Sequence, residues 1–481
     1  MDERRVALID DLRGLAAETE WVEHKANNAD AEMIGRLVSA VSNGARMAER
    51  SYGYVIWGIA DDTRDVIGTT FRGSATRKEN QPLPVWLSQM TEPCPDFEFL
   101  EVAHPKGRVV VLEVPAASVA PTKFKGVPYI RVGEATVKLS GQPQREQKLW
   151  SRLQASAWEA ETAMEFLAEE QILQLLNVDA YYRLLKTPKP SAAADVMVQL
   201  RQDRLIAPDA GGRWRILNLG ACLLANRLST FPRLARKAMR IIHYVGKTRV
   251  NTKREHLEDQ GYAAGFEVML EALDEMLPKQ ERIGRALREE TSPYPQLAIR
   301  ELVANALIHQ AFGLTGRGPM IEVFDDRIEI TNPGAPLIDT DRFLDMPPRS
   351  RNEALASLMR RMSICEERGS GIDKVISGVE DFMLPAPNFH AGEDFTRVTM
   401  LAPRSFAAMT TAERVRACYQ HAALHWAGGE RVTNASLRKR FGIETGNAAQ
   451  MSRVFSDAKK AGLIKLADPD APKGGYAPFW A

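Results

Sequence analysis

The sequence predicts a mixed α/β and α+β protein of several domains, and three observations lead there. At 481 residues the chain has room for three or four domains of ordinary size. Apolar residues recur at helical spacing in some stretches and at strand spacing in others, which excludes a purely helical or purely β reading. A helix-turn-helix pattern stands apart after Pro403. The expected divisions are 1–145, 146–215, 216–404 and 405–481.

Composition narrows the function classes. A hydrophobic content of 44% with 26% charged residues suits a globular chain. A net charge of +1 argues against a wholesale polyanion binder, so any nucleic-acid surface must be local. Cys94, Cys222, Cys365 and Cys418 lie far apart with no CxxC pair, which disfavours a disulfide framework and a structural zinc site. With no signal peptide or long apolar run, the expectation is a cytoplasmic protein with no membrane partner.

In the first 145 residues a polar helix is expected to end near Glu18-Thr19-Glu20, followed by a strand at Trp21-Val22-Glu23-His24-Lys25. Glu23 and Lys25, two apart, project from one face of such a strand. A helix from about Asp30 to Ser42 places Ile34, Leu37 and Val41 at helical spacing. Tyr54 to Ile59 is apolar on both faces, as in a buried strand, and runs into Ala60-Asp61-Asp62.

Glu18 and Glu23 cannot share a helix face, because five residues turn the side chain by about 140°. They converge only if the helix ends between them. With Asp61 or Asp62 delivered beside them, three carboxylates and Lys25 would suit Mg2+- or Mn2+-assisted phosphodiester cleavage. The plainer reading is surface carboxylates beside a structural lysine. Glu18-xxxx-Glu23-x-Lys25, Ser42-Asn43, the run Gly53 to Asp62 and Pro128-Tyr129-Ile130-Arg131-Val132-Gly133 together resemble the Schlafen AlbA_2 domain, over roughly residues 15 to 145. The resemblance implies a nuclease site at Glu18, Glu23 and Asp61, or Asp62 if the register slips by one. Lys123, Lys125 and Arg131 flank Phe124 and Tyr129, a cluster able to meet phosphates and stack on bases, or else a solvated hairpin.

Residues 146–215 read as helices around Thr187-Pro188-Lys189-Pro190, with a winged-helix-like pattern from Ala192 to Ile216. Ala238 to Val245 is a strand candidate, and the basic run Lys247 to Arg254 suits a phosphate backbone or a solvated loop.

In Arg300 to His309, Glu301, Asn305 and His309 recur every four residues and stack along one side of a helix. A carboxylate, an amide and an imidazole in one column can orient a water and hold Mg2+ through oxygen ligands. A strand at Ile321 to Phe324 follows, then Asp325 to Gly334, a glycine-rich turn at Glu366 to Ile372 and a closing strand at Phe395 to Met400. The ordered set resembles the GHKL (Bergerat-fold) ATP-binding domain in its RecG C-terminal-like variant. By that resemblance Glu301 activates water, Asn305 binds Mg2+, and Gly369 and Gly371 hinge an ATP lid. His309, Asn332 and Gly334 complete the expected ATP site. Asn332 stands near where the family places an aspartate for the adenine amino group, and its amide oxygen can accept the same hydrogen bond.

From Thr410 onward a helix, a helix-turn-helix pattern and a wing through Gly474-Gly475-Tyr476 predict a winged helix. Asn447, Gln450 and Arg453 share one side of its second helix and suit base edges or phosphates. Two functions follow. One is a metal-dependent nuclease on RNA, tRNA among them, or DNA, gated by ATP and acting in defence against phage. The other is an ATP-responsive DNA-binding regulator without cleavage. The carboxylate set favours the first and the winged helix the second. Both take nucleic acid and ATP as partners, with a second copy of the chain as a further candidate.

Overall fold

The helix Ala31–Met47 begins where Asp30 caps it, the carboxylate accepting the Met33 N–H at 2.8 Å. Its Ile34, Leu37, Val38 and Val41 face Val55, Trp57, Val110 and Leu112 in one apolar core. In this computed structural model the described chain excludes residues 1, 16–18, 119, 155–157, 210–211, 284–287, 348, 366–370, 445–446 and 472–473. It folds as two compact units, Met1–Gln174 with Pro190–Ala221, and Leu175–Lys189 with Cys222–Ala481. The stretch expected as one connector, 146–215, is thus shared between the two.

In the first unit a four-stranded sheet runs in the order Val22–Lys25, Tyr52–Trp57, Gly107–Pro115, Glu98–His104. The first pair is parallel, with Glu23 opposite Val55 and Lys25 opposite Trp57. The opening helix spans Asp2–Arg13 and stops well before Glu18, earlier than the sequence suggests. A second sheet orders Ala135–Lys138, Val127–Val132, Lys123–Phe124 and Thr91–Glu92. Buried Asn43 ties the helix to this second sheet. Its Nδ2 donates to the Thr122 and Tyr129 carbonyls, both at 2.9 Å, and its Oδ1 accepts the Thr122 N–H at 2.8 Å. A single side chain thus satisfies three backbone groups, which accounts for an amide on the buried face of the helix.

A three-stranded sheet, Thr162–Leu167, Trp214–Leu217 and Ile206–Pro208, completes the first unit. Arg50 lies 3.3 Å from Glu165, pairs with Asp209, and stacks on the Trp21 ring at 4.5 Å. Burial pushes the Glu165 carboxyl up to about 7 from an ordinary 4.5, although Arg50 opposes the shift. The folded chain therefore holds a proton that the unfolded chain releases. This stability is complete below about pH 4.5 and is lost as pH rises through about 7. Glu165→Gln is expected to remove up to about 3 kcal/mol of that loss. The check is unfolding of both proteins at pH 5 and pH 8, where the variant should lose less between the two. Equal losses would mean that Glu165 ionises normally.

In the second unit a six-stranded sheet runs in the order Thr252–Glu258, Met239–Tyr244, Met320–Phe324, Arg327–Pro333, Phe395–Leu401, Asn388–Ala391. Only the Met239–Tyr244 and Met320–Phe324 pair is parallel. The helix Gln296–Ile308 packs on this sheet and against the helix Gly371–Asp381. From the basic run, Arg249 contacts Glu322 at 2.5 Å and Glu329 at 2.6 Å, so its charge is already engaged within the unit. The helices Thr411–Ala427, Asn434–Arg440 and Ala448–Lys460 and the hairpin Ile464–Leu466/Tyr476–Pro478 enclose a core that includes Cys418, Leu437, Met451 and Phe455. Among the described residues no helix is long and apolar enough to cross a membrane.

Candidate functional site

The helix Gln296–Ile308 holds Glu301 almost fully buried, and Asn305, one turn on, donates from Nδ2 to Glu301 Oε1 at 3.3 Å. That hydrogen bond turns the Asn305 amide oxygen away from the carboxylate. The pair therefore offers oxygens of two kinds, the donor set a Mg2+ ion takes. His309 is the C-cap, with φ −89° and ψ 15°, and its N–H donates to the Asn305 carbonyl at 3.0 Å, one helical turn beyond Asn305. Burial, helped by the neighbouring Arg351, pushes the His309 imidazole down to about 4, so the ring is neutral near pH 7.

Asn332 comes from the neighbouring strand, and its Nδ2 donates to the His309 carbonyl at 3.3 Å and the Pro333 carbonyl at 3.4 Å. Both partners are pure acceptors, so the nitrogen must face them and the oxygen turns the other way. Gly334 has φ +111°, and a Cβ there would sit 2.4 Å from the Arg351 guanidinium. Arg351 also donates to the carbonyls of His309 at 3.3 Å and Ala335 at 3.1 Å. Gly371 opens its helix directly against Glu301: a Cβ at this position would lie 2.0 Å from Oε1. Gly369 lies outside the described residues.

Glu301, Asn305, His309, Asn332 and Gly371 all line one cavity of about 270 Å³. Arg349 and Arg351 supply positive charge to it, and Ile330, Phe343 and Val398 supply apolar wall. A planar ring system with an anionic tail fits this division of polarity. Sequence reading missed the two arginines. The signal was present in Arg349-Ser350-Arg351-Asn352, two cations directly before a helix at Glu353–Arg361.

In the first unit Glu23 is 3% exposed, and its carboxylate faces two cations. Lys25 Nζ lies 2.5 Å from Oε1, and the Arg131 guanidinium pairs with Oε2. Arg131 is 0% exposed and also donates to the carbonyls of Thr19 at 3.4 Å and Gly133 at 3.3 Å. The expectation that Arg131 faces a phosphate is corrected here, because a guanidinium sealed inside the fold cannot meet a nucleic-acid backbone. Phe124 is likewise buried, edge-on to Trp86 at 5.8 Å, which rules it out as a stacking platform. Lys125 is exposed, pairs with Glu32 and lies 5.3 Å from the Trp86 ring, while Lys123 is half-buried.

Glu18 lies outside the described residues. Asp61 and Asp62 are exposed in the turn beyond Tyr52–Trp57, where Asp62 accepts the Thr63 N–H at 2.8 Å. Among the described residues neither aspartate forms an ion pair or a hydrogen bond with Glu23 or Lys25. At the other end of the chain, Asn447 caps the helix Ala448–Lys460, and Asn447, Gln450 and Arg453 are exposed. Met451, Val454, Phe455 and Ala458 bury the opposite face of that helix.

Comparison with known proteins gives two family matches. Residues 18–140 match the family described as "Schlafen, AlbA_2", and residues 316–400 match "Putative ATP-dependent DNA helicase recG C-terminal". Glu301 and Asn305 precede the second matched segment. No curated protein matches the chain. Among solved structures, the DIP2311 protein from Corynebacterium diphtheriae is similar at 16% identity, with 99% of this chain and 97% of that chain covered and a TM-score of 0.40. The N-terminal domain of a RecG-related protein from Nitrosomonas europaea is similar at 20% identity, covering 27% of this chain and 89% of that chain with a TM-score of 0.18. This mixed α/β chain therefore combines a segment that matches Schlafen AlbA_2 in its first unit with a segment that matches the recG C-terminal family in its second.

Proposed function

We propose that the chain is an ATP-responsive nucleic-acid-binding protein. ATP and Mg2+ occupy the cavity of the second unit, a GHKL-like domain, and RNA or DNA is met by the first unit and by a C-terminal winged helix. The observation that carries this reading is the Glu301–Asn305 pair set against the helix that begins at Gly371. The Asn305 oxygen holds Mg2+, Glu301 orients a water at the terminal phosphate, and the Asn332 oxygen accepts from the adenine amino group. Arg349 and Arg351 offset the phosphate charge.

For the first unit the reading favours binding over cleavage. The Glu23 carboxylate is already balanced by Lys25 and Arg131, so a catalytic divalent ion would have to displace one of them at a buried position. Exposed Lys125 and the face of Asn447, Gln450 and Arg453 are the groups left to meet nucleic acid.

Calorimetry of the intact protein is expected to show ATP binding that requires Mg2+, and no heat of binding would end the proposal. Duplex affinity, measured with and without ATP, should change with the nucleotide. Arg453→Ala should weaken duplex binding by about 1–3 kcal/mol if Arg453 reads a base. Manganese-dependent cleavage of tRNA or DNA that disappears in Glu23→Gln would establish the nuclease reading in place of this one.

A further inference from the structure

We infer that Glu380, His421 and His425 form a binding site for a divalent transition-metal ion of the zinc class, apart from the nucleotide cavity. His421 and His425 are four residues apart on the helix Thr411–Ala427, so both rings project from one face. Glu380 reaches them from the last turn of the helix Gly371–Asp381. One ligand atom from each of the three lies within 4.8 Å of the others. The two imidazole rings are 4.2 Å apart between centroids. Ligand atoms around a tetrahedral zinc, each at about 2.0–2.1 Å from the metal, are about 3.3 Å from one another, so small side-chain rotations close the site.

The hydrogen bonds of the two rings indicate which nitrogens a metal ion would take. His421 is 3% exposed, and its Nδ1 lies 2.9 Å and 3.1 Å from the two Glu380 oxygens. A carboxylate only accepts, so Nδ1 carries the proton of this hydrogen bond, and a metal ion taking that proton's place would be bound by Nδ1 and a Glu380 oxygen together. On His425 the Nδ1 lies 2.8 Å from Glu430 Oε2, outside the three clustered residues, which leaves Nε2 as the nitrogen for a metal ion. A carboxylate such as Glu430 that holds the second nitrogen of a ligating histidine is the usual outer support of a metal site.

Charge and donor type select the ion. Arg440 Nε lies 3.2 Å from Glu380 Oε1 and partly offsets that carboxylate, but Glu430 restores a net negative balance around the rings. Two imidazoles and a carboxylate suit Zn2+, Co2+ or Ni2+, whereas Mg2+ and Ca2+ take oxygen ligands. Buried Cys418, one turn before His421, is in the helix core and is not one of the clustered ligands.

The test uses the full-length chain without an affinity tag, stripped by a chelator and titrated with Zn2+ in the absence of nucleotide. A single equivalent of Zn2+ should bind and raise the unfolding temperature, and Mg2+ should do neither. His425 is partly exposed, so His425→Ala should fold and bind Zn2+ more than about tenfold more weakly. Glu430→Gln should weaken binding about 10–100-fold through the outer support. Absorption of the Co2+ form should change in both variants. No Zn2+ binding to the wild-type chain, or unaltered binding in His425→Ala, overturns the inference and leaves the two histidines as hydrogen-bond partners of Glu380 and Glu430. Because no nucleotide is present, the outcome is independent of whether ATP binds.

Discussion

Arg131→Met is expected to destabilise the first unit by about 3–5 kcal/mol, the range for removing one partner of a buried ion pair. The cost comes from what remains. Glu23 stays buried and loses one of its two cations, and the carbonyls of Thr19 and Gly133 lose a donor. Methionine fills much of the arginine stem, which separates the charge effect from a cavity effect. Chemical denaturation of the full chain, followed by a probe in the first unit, reads the change as a lower midpoint. The double variant Arg131→Met with Glu23→Gln should recover part of the loss, because the buried carboxylate charge is gone, and the cycle gives the coupling directly. Should Arg131→Met prove too unstable to purify, Arg131→Lys tests the same pair at smaller cost, keeping the charge and losing the fork. A loss below about 1 kcal/mol would place the pair in solvent-screened surroundings.

The second large effect is expected at Gly371. A methyl group there falls 2.0 Å from Glu301 Oε1, and that oxygen is the end of a flexible side chain. The carboxylate moves and the backbone does not have to, so Gly371→Ala should unfold near the wild-type temperature. Magnesium-dependent ATP binding should nevertheless weaken by about tenfold or more, because displacing a site group by an ångström is enough to lose its alignment. Asn305→Ala is the companion: it deletes an oxygen ligand and should erase the difference between ATP binding with and without Mg2+. Calorimetry in both conditions distinguishes the two variants. Unchanged binding in both would take Glu301 and Asn305 out of the nucleotide site. Neutral His309 implies that binding does not titrate through this ring between pH 6 and 8.

Local periodicity settled a good deal before any packing was known. Two-residue spacing placed Glu23 and Lys25 on one strand face, and they meet there at 2.5 Å. Helical spacing put Glu301 and Asn305 one turn apart, and they share a hydrogen bond. Alternation and apolar runs located the strands Tyr52–Trp57 and Met320–Phe324 and the helix that carries Asn447 at its cap. Each of these depends on backbone geometry within a few residues, so the chain alone determines it.

What lay outside the sequence is what distant segments do to one another. The pattern around Lys123, Phe124, Lys125 and Arg131 is the same whether its residues face water or the interior. Only the packing of the second sheet buried Arg131 against Glu23 and turned an expected phosphate contact into an internal ion pair. His309 lines the same cavity as Glu301 and Asn305, and the burial that lowers its basicity comes from packing that periodicity does not signal. The Glu380 carboxylate reaches His421 and His425 from a different helix, and the guanidinium of Arg351 reaches the cavity lined by Glu301 and Asn305 from a segment outside the motif pattern. Side-chain pairing across such separations depends on register and burial, which exist only in the folded chain. There the cost of an unpaired buried charge decides which partners meet.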